Sequence, residues 1–184
     1  MINFKLDYII NYLLLIKNIS NLKLKDLNPP KVLIRKAKIS DSIYIEEILR
    51  ETKWFDHITE NSTQNIITRI QNHLIFCEKD QCHIIYIAEK GDKVVGYIAV
   101  HWLFYAILAG PEGYISELFV SKAERSQGIG KLLLEEVKKQ AKIRRCSRLM
   151  LVNNRIRLSY EKEFYKKNGF IEREHIANFI FPFS

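Results

Sequence analysis

The sequence predicts an α+β domain in which helices flank a mixed, largely antiparallel central sheet, with a helical extension in front of it. The first observation is a β-meander: two β-rich runs within residues 83–108 are joined by a turn, and a third run follows at residues 113–120. Strand–helix units then follow, a pattern typical of sheets covered by helices. Finally, Asn-Pro-Pro at residues 28–30 breaks any helix. We therefore expect an N-terminal helix and linker at residues 1–30 and a folded domain at residues 31–184.

A strand and two helices are predicted before the meander. Residues 31–40 have the pattern of the first strand, and Ser40 or Asp41 caps a helix that continues to about Thr52. Isoleucine and leucine recur at helical spacing within residues 60–76, which indicates the second helix.

Two helices and further strands are predicted after the meander. Leucine, valine and alanine at helical spacing indicate a helix over residues 129–142. A short apolar strand follows at residues 147–152, then a helix over residues 157–169 that ends at its glycine. Residues 170–183 supply one or two closing strands. The predicted order is therefore β-α-α-β-β-β-α-β-α-β.

The charge balance favours an anionic partner. The chain has 29 basic and 21 acidic residues, a formal net charge of +8. A phosphorylated cofactor, nucleic acid or an acidic membrane face would all fit, and so would a lysine-rich surface without such a partner. The early apolar run at residues 12–16 is too short to span a bilayer. The apolar helical pattern of residues 1–30 fits packing on the domain or on a partner chain, and is compatible with a homodimer.

The cysteines indicate a reducing compartment. Cys77, Cys82 and Cys146 are an odd and sparse set that does not form a disulfide framework, so we expect a cytoplasmic protein. Cys77 and Cys82 lie near His73 and His83, which makes a zinc site conceivable, but the spacing is not that of a zinc finger and no second ligand pair follows. The sequence therefore predicts no metal site.

A glycine pair, Gly128 and Gly130, lies between a strand and a helix. A Walker A loop would need glycine in place of Arg125 and serine or threonine in place of Leu132. A dinucleotide-binding fingerprint would need a third glycine in place of Leu133. The free N–H groups at a helix start favour a pyrophosphate, and glycines let the backbone approach it. The alternative is a turn that only packs the helix on the sheet.

This stretch resembles the acetyl-CoA loop of the GNAT superfamily of N-acetyltransferases, which reads Arg/Gln-x-x-Gly-x-Gly/Ala after a strand ending in Leu-x-Val. The matching residues are Leu118, Val120, Arg125, Gly128 and Gly130. A second family signature is a late helix with Phe-Tyr before Gly-Phe. It is matched by Phe164, Tyr165, Gly169 and Phe170. The resemblance covers about residues 32–180 and implies the same fold.

The resemblance implies acetyl-CoA as the co-substrate. The family's Leu-x-Val strand holds pantetheine and the thioester through its backbone, and its loop amides hold the pyrophosphate. The corresponding strand positions here are Leu118, Phe119 and Val120, and the loop positions are Arg125, Ser126, Gln127, Gly128, Ile129, Gly130 and Lys131. Asn154 is a further candidate contact to the CoA arm. Leu158 stands where the family often has asparagine, and Arg155 and Arg157 are candidates to replace that contact at the phosphates.

The implied reaction needs a neutral amine, donors for the thioester oxygen and a proton for the leaving thiolate. Tyr165 is the expected general acid, unless it only packs and hydrogen-bonds CoA. Glu117 is the expected base, acting through water and attracting a cationic amine. A carboxylate in an otherwise apolar strand is unexpected unless it faces a cleft, although a pair with a nearby lysine is the alternative. His101 is the reserve base.

The acceptor is predicted as a primary amine of a small molecule or a protein, with Trp102, Phe104 and Tyr105 lining its pocket unless they belong to the core. An acceptor amine on RNA or aminoacyl-tRNA is the less favoured alternative, motivated by the net charge and the basic cluster Lys142–Arg148. A third hypothesis is that the protein binds acetyl-CoA without catalysis and interacts with a partner through residues 1–30.

Overall fold

The computed structural model describes residues 31–183, and the predicted N-terminal helix lies outside that range. Five strands form one sheet: β1 (Val32–Lys36), β2 (His83–Lys90), β3 (Lys93–Leu103), β4 (Glu112–Val120) and β5 (Arg148–Leu151). The α-helices of the described residues are α1 (Ser42–Thr52), α2 (Asp56–Glu60), α3 (Thr63–Lys79), α4 (Ile129–Ile143), α5 (Leu158–Glu161) and α6 (Phe164–Lys167). Short 3-10 helices at Ile39–Asp41 and Lys122–Glu124 precede α1 and follow β4.

The strands lie in the order β1-β2-β3-β4-β5. The first four strands pair antiparallel, and β5 pairs with β4 in parallel. Gly91 and Asp92 form the turn between β2 and β3, where Gly91 has a φ of +63°. Glycine adopts this left-handed conformation without steric cost, so the hairpin closes tightly. This mixed, largely antiparallel sheet with its helices confirms the predicted fold class.

The helices α1, α3 and α4 lie where the sequence predicts them. The short helix α2 was not predicted. The helix predicted over residues 157–169 is divided into α5 and α6, because Glu163 between them adopts a left-handed φ of 53° that a continuous helix does not allow. Between residues 31 and 183, no helix has both the length and the apolar character needed to cross a membrane.

The C-terminal end differs from the predicted order. Residues 170–183 contain turns and irregular backbone instead of closing strands. Apart from Phe170, which is partly buried, their large apolar side chains are exposed, and Ile171, Phe179 and Phe183 are each about nine-tenths accessible. An apolar stretch becomes a strand only where a neighbouring strand pairs with it, and β5 pairs with β4 alone among the described strands.

Two hydrophobic clusters pack on opposite faces of the sheet. The cluster on the α4 face contains Ile84, Tyr86, Ala88, Val95, Ile98, Val100, Trp102, Ile115, Ile129, Leu133, Leu134, Val137 and Ala141. The cluster on the α1 and α3 face contains Ile45, Ile48, Leu74, Ile85, Ile87, Val94, Tyr97 and Ala99. Because side chains alternate along a strand, β2 and β3 contribute to both clusters. The central strands are therefore buried on both faces and fix the position of β4.

A partly buried ion pair joins β1 to the start of α1. The guanidinium of Arg35 donates to both carboxylate oxygens of Asp41, at 2.7 and 2.9 Å, and to Glu89 at 2.8 Å. The backbone N–H of Lys38 also donates to Asp41, at 2.7 Å. Burial alone would raise the pKa of Asp41, but the hydrogen bonds from Arg35 and Lys38 outweigh it and hold that pKa below its ordinary value of 3.8.

Asp41→Asn should destabilise the domain by about 2–3 kcal/mol at pH 7, because Glu89 is then the one charged partner that Arg35 keeps between residues 31 and 183. The folded-state pKa of Asp41 is depressed, so its contribution is present above pH 3.8 and is lost as the pH falls through the folded value. The difference between variant and parent should therefore shrink below about pH 4 in urea unfolding. Asp92→Asn, in the exposed β2–β3 turn, is the control. A difference that stays constant down to pH 3 would contradict this assignment.

Candidate active site

A β-bulge in β4 sets the positions of the residues that follow it. Ala99 of β3 pairs with Glu117 and Val100 pairs with Ile115, so Ser116 is an extra residue in β4. After the bulge, Glu117 and Phe119 lie on the α1 and α3 face with Tyr97, whereas Leu118 packs on the α4 face. The bulge therefore decides which residues of β4 face each side of the sheet.

The parallel pair of β4 and β5 separates beyond the bulge. Pairing runs for four positions, from Glu112 with Arg148 to Ile115 with Leu151. There β5 ends, while β4 continues to Val120. Within the described residues, one edge of the segment 116–120 consequently has no paired strand. Backbone N–H and C=O groups on such an edge can bind the amides of an extended ligand.

The glycine loop after β4 ends directly at the start of α4. Ser126 and Gly128 both have left-handed backbone conformations, with φ of 64° and 82°. Within residues 31–183, the N–H groups of residues 126–131 have no hydrogen-bond acceptor. The 15-residue helix α4 adds the partial positive charge of its N-terminus at this point. The loop can therefore bind an anionic group through its backbone.

Side chains hold this loop in its conformation. Arg125 donates from Nε to the carbonyl of Val120 at 3.0 Å, which ties the loop to the end of β4. Gln127 donates from Nε2 to the carbonyl of Ala123 at 3.2 Å and accepts from Lys90 Nζ at 3.1 Å. The loop is thus ordered by intramolecular contacts and does not need a ligand to take its shape.

The two glycines have different structural roles. A Cβ at Gly128 would meet no atom of the described residues within 4 Å, so this position favours glycine for its backbone conformation. A Cβ atom at Gly130 would lie 3.1 Å from Cζ of Phe164. Gly130 thus lets α4 approach the Phe-Tyr pair of α6, and the two separated sequence motifs are in contact.

Tyr165 lies in an aromatic cluster beside the start of α4. Its ring contacts Phe164 and Phe170 in edge-to-face arrangements, with centroids 5.0 and 5.9 Å apart. In the described part of the chain its hydroxyl has no hydrogen-bond partner, and burial raises the pKa of Tyr165 to about 12. The hydroxyl therefore stays protonated at physiological pH and is a potential proton donor.

Glu117 is held by a buried tyrosine. The hydroxyl of Tyr97, a residue that is only 1% exposed, donates to Glu117 Oε2 at 2.6 Å. Burial first, and then the charge of Glu117, raise the pKa of Tyr97 well above its ordinary value, so the phenol remains a donor. None of the described lysines pairs with Glu117, which argues against the ion-pair alternative.

The aromatic residues near Glu117 are not those predicted from the sequence. Trp54 and Phe55, which follow α1, contact Phe119 with ring centroids 5.8 and 6.1 Å away. The guanidinium of Arg157 lies 3.4 Å from the centre of the Trp54 ring. The sequence does contain a signal for this cluster, the adjacent Trp-Phe pair just after a predicted helix. Exposed aromatic residues are uncommon at protein surfaces, so such a pair indicates a contact with another part of the chain or with a ligand.

Trp102 does not line an acceptor pocket, and that prediction is wrong. Its side chain is 1% exposed and packs in the α4-face cluster, on the opposite side of the sheet from Glu117. Gly113 is close enough that a Cβ there would meet the indole ring at 2.7 Å, and Arg144 lies over the ring at 5.0 Å. Tyr105, beyond the end of β3, is 43% exposed and stays a candidate.

The remaining predicted polar residues lie after β5 or next to the bulge. The carboxamide oxygen of Asn154 accepts from the backbone N–H of Ile156 at 3.1 Å. Arg155 pairs with Glu172 at 3.0 Å. His101, the reserve base, contacts Ser116 Oγ through Nε2 at 3.1 Å, and burial lowers its pKa. Arg155 and Arg157 therefore both have partners within the domain, Glu172 and the Trp54 ring respectively.

Residues 45–170 match the family model described as the Acetyltransferase (GNAT) family. The chain belongs to this family. The resemblance carried by the glycine loop and the Phe-Tyr motif is thereby confirmed. Members of the family are acyltransferases that generally use acetyl-CoA, and the chain is accordingly an acyltransferase of the N-acetyltransferase type.

Solved structures share this GNAT fold at low sequence identity. A transcriptional regulator from Bacillus halodurans C-125 is 22% identical, with a TM-score of 0.73 over 83% of this chain and 100% of that one. Glucosamine-6-phosphate N-acetyltransferase from Arabidopsis thaliana is 20% identical, with a TM-score of 0.65 over 83% and 99%. An aminoglycoside acetyltransferase from an uncultured soil metagenomic sample is 18% identical, with a TM-score of 0.62 over 83% and 97%. No curated protein matches the sequence.

Gly130→Ala tests the contact between the glycine loop and α6. The added methyl group displaces the Phe164 ring by a few tenths of an ångström, so we expect a loss of about 1 kcal/mol in the free energy of unfolding. In a Phe164→Leu background the loss should be smaller, because the shorter side chain leaves room. A double-mutant cycle by urea unfolding measures this coupling.

Gly128→Ala is the matched control, since its cost arises from the backbone φ of 82° and should be the same in both backgrounds. If Gly130→Ala lowered the free energy of unfolding equally in the parent and in the Phe164→Leu background, the assigned contact would be contradicted.

Proposed function

We propose that this protein transfers the acetyl group of acetyl-CoA to a primary amine of a small molecule or a protein, by direct attack of the amine on the thioester. The observation that carries the proposal is the gap where β4 continues beyond β5, with a free helix start at its end. This arrangement offers backbone groups for an extended arm and N–H groups for a diphosphate, the two parts of the coenzyme.

The coenzyme would bind along β4 and at the start of α4. Leu118, Phe119 and Val120 border the gap, and those of their backbone groups that do not pair with β3 would bind the pantetheine amides. The pyrophosphate would accept hydrogen bonds from the loop N–H groups between Arg125 and Lys131, which have no acceptor within residues 31–183. Asn154, after the end of β5, is a further candidate on the opposite side of the gap.

Glu117 and Tyr165 would serve the two sides of the thioester. Glu117 lies on the α1 and α3 face, whereas Tyr165 packs against the α4-face cluster. A thioester placed between the separated strands would be accessible from both faces. Glu117, held by Tyr97, would accept the proton of the ammonium group through water, and Tyr165 would protonate the sulfur.

The proposed chemical step forms the bond between the amine nitrogen and the acetyl carbon and breaks the bond between that carbon and sulfur. The ammonium group gives one proton to Glu117 through water before the attack, and Tyr165 gives its proton to the CoA thiolate as the bond to sulfur breaks. The nitrogen then loses its second proton, which restores the Tyr165 hydroxyl and leaves the neutral amide. Thiols have a pKa of about 8.5 in water. Because the pKa of Tyr165 is about 12, proton donation is favourable only where the thiolate is poorly solvated, as in the buried surroundings of this tyrosine.

The acceptor amine would approach from the face that carries Glu117. Trp54, Phe55 and Phe119 contribute aromatic rings to this side. Because the Arg157 guanidinium already lies over Trp54, the rings that would favour a cationic acceptor are those of Phe55 and Phe119. The carboxylate of Glu117 adds a negative charge at the same place. Tyr105 remains a proposed lining residue at the end of β3. Small amines such as an aminoglycoside or an amino sugar phosphate, the acceptors named for two structural relatives, are the first candidates.

An acceptor on RNA is less well supported. In the basic cluster Lys142–Arg148, Arg144 stacks on Trp102 and Arg148 pairs with the buried Glu112. These two cations are engaged within the domain, which reduces the charge available for a phosphate backbone.

The free thiols of Cys77, Cys82 and Cys146 are compatible with a cytoplasmic location.

Tyr165→Phe should lower kcat for acetyl transfer by about 100-fold or more, with little change in the Kd for acetyl-CoA, because only the proton donor is lost. Release of free thiol with a panel of primary amines, including an aminoglycoside, glucosamine 6-phosphate and a short peptide, measures the rate. The control is Tyr160→Phe, which removes a tyrosine hydroxyl that donates to Glu172. Since the pKa of Tyr165 is about 12, the parent should lose no activity through its ionisation up to pH 10. An unchanged kcat in the variant would remove Tyr165 from the mechanism.

Glu117→Gln should lower kcat about 100-fold at pH 7 and make the remaining rate more dependent on pH. Without a base in the site, the reaction depends on amine that is already neutral, and this fraction rises tenfold per pH unit below an amine pKa of about 10. The pH–rate profiles of both proteins between pH 6 and 10 measure the effect. Glu135→Gln, at an exposed position on α4, is the control. Parallel profiles with equal rates would exclude Glu117 as the base.

A further inference from the structure

Three side chains with metal-binding atoms converge where the end of α3 meets the start of β2. His73 and Cys77 lie one helical turn apart on α3, and His83 is the first residue of β2. Nε2 of His73 lies 3.2 Å from Nδ1 of His83, and Sγ of Cys77 lies 3.5 Å from the same Nδ1. All three donor atoms are within 4.8 Å of one another. The proposed acetyl transfer uses none of them.

These distances fit the edges of a zinc coordination tetrahedron. Bonds of about 2.05 Å to nitrogen and 2.3 Å to sulfur place two nitrogens about 3.3 Å apart and a nitrogen and a sulfur about 3.6 Å apart. The 3.2 Å between His73 and His83 and the 3.5 Å between Cys77 and His83 are close to both values. The third edge, from His73 to Cys77, is within 4.8 Å, so an ion at the centre would need to bring these two atoms closer by no more than about 1.2 Å.

The central ligand of this cluster is already fixed in orientation. His83 is 7% exposed, and its ring stacks on His101 with centroids 3.7 Å apart and an angle of 20°. The turn before it is held by Asp80, whose carboxylate accepts from the backbone N–H of Cys82 at 2.8 Å. A ligand whose orientation is set by its neighbours loses little freedom on binding a metal, which favours affinity.

We propose that His73, Cys77 and His83 bind one Zn²⁺ ion, with water in the fourth position. Two imidazole nitrogens and one thiolate are a donor set that zinc prefers, whereas magnesium and calcium prefer oxygen. The absence of zinc-finger spacing in the sequence does not oppose this site, because α3 and β2 bring the ligands together by tertiary packing. The ion would link α3 to the sheet.

The linkage would also act on the acceptor side of the domain. His73 borders a surface cavity together with His57, Ile58 and Arg69, residues of α2 and α3. The segment that carries α2 begins just after Trp54 and Phe55, which contact Phe119. An ion that holds α3 against β2 would therefore stabilise the helices next to the proposed acceptor site.

Titration of the metal-free full chain with Co²⁺ tests the proposal directly, because a cobalt–thiolate bond gives a near-ultraviolet absorption band and tetrahedral cobalt gives visible bands. We expect saturation at one ion per chain and displacement of cobalt by Zn²⁺. Zinc at about a hundred times its Kd should raise the thermal unfolding midpoint by about 5–10 °C.

Cys77→Ser and His73→Ala should each weaken cobalt binding by about 100-fold or more, and Cys77→Ser should also abolish the thiolate band. His73 is exposed, so its replacement leaves the core intact. Cys82→Ser, at an exposed cysteine close to the cluster but outside it, should bind cobalt like the parent. Absence of a thiolate band in the parent, unchanged binding in both ligand variants, or an equal loss in Cys82→Ser would each overturn the proposed site.

Discussion

The separation of β4 from β5 is the constraint on which the rest of the site depends. The two strands are parallel and share four paired positions, after which β4 continues to Val120 paired with β3 on one edge and with no described strand on the other. Parallel neighbours need a long connection, and α4 provides it by crossing the α4 face of the sheet. The start of that helix, with its free N–H groups, consequently lies at the end of the exposed strand edge. One feature of the backbone thus places both parts of the proposed coenzyme site.

The bulge at Ser116 places the proposed base, Glu117, on the face of the sheet opposite to that of the proposed acid, Tyr165. One extra residue shifts the alternation of β4, so that Glu117 and Phe119 lie with Tyr97 and Leu118 lies with the α4 cluster. Without that residue, the carboxylate would face the packed side against α4. The register of a single strand pair therefore determines whether Glu117 can meet an amine.

Local sequence patterns predicted much of the fold and part of the site. Periodicity gave α1, α3 and α4, and the glycine pair with the Phe-Tyr motif led to the family, which the match over residues 45–170 confirms. The contact between Gly130 and Phe164 explains why these motifs occur together, but neither motif contains that information. The aromatic cluster of Trp54, Phe55 and Phe119 was missed because Phe119 is far along the chain from the adjacent Trp54 and Phe55 and meets them only through packing.

The sequence by itself determined what depends on neighbouring residues: helix spacing, the turn at Gly91, the left-handed position at Gly128 and the order of the strands in the meander. Tertiary structure alone decided what depends on distant pairing. It buried Trp102 in the core, gave residues 170–183 no partner among the described strands, and brought His73, Cys77 and His83 together. The reason is physical, since periodicity encodes local backbone conformation, whereas the face a side chain occupies follows from the register and packing of segments that are remote in the chain.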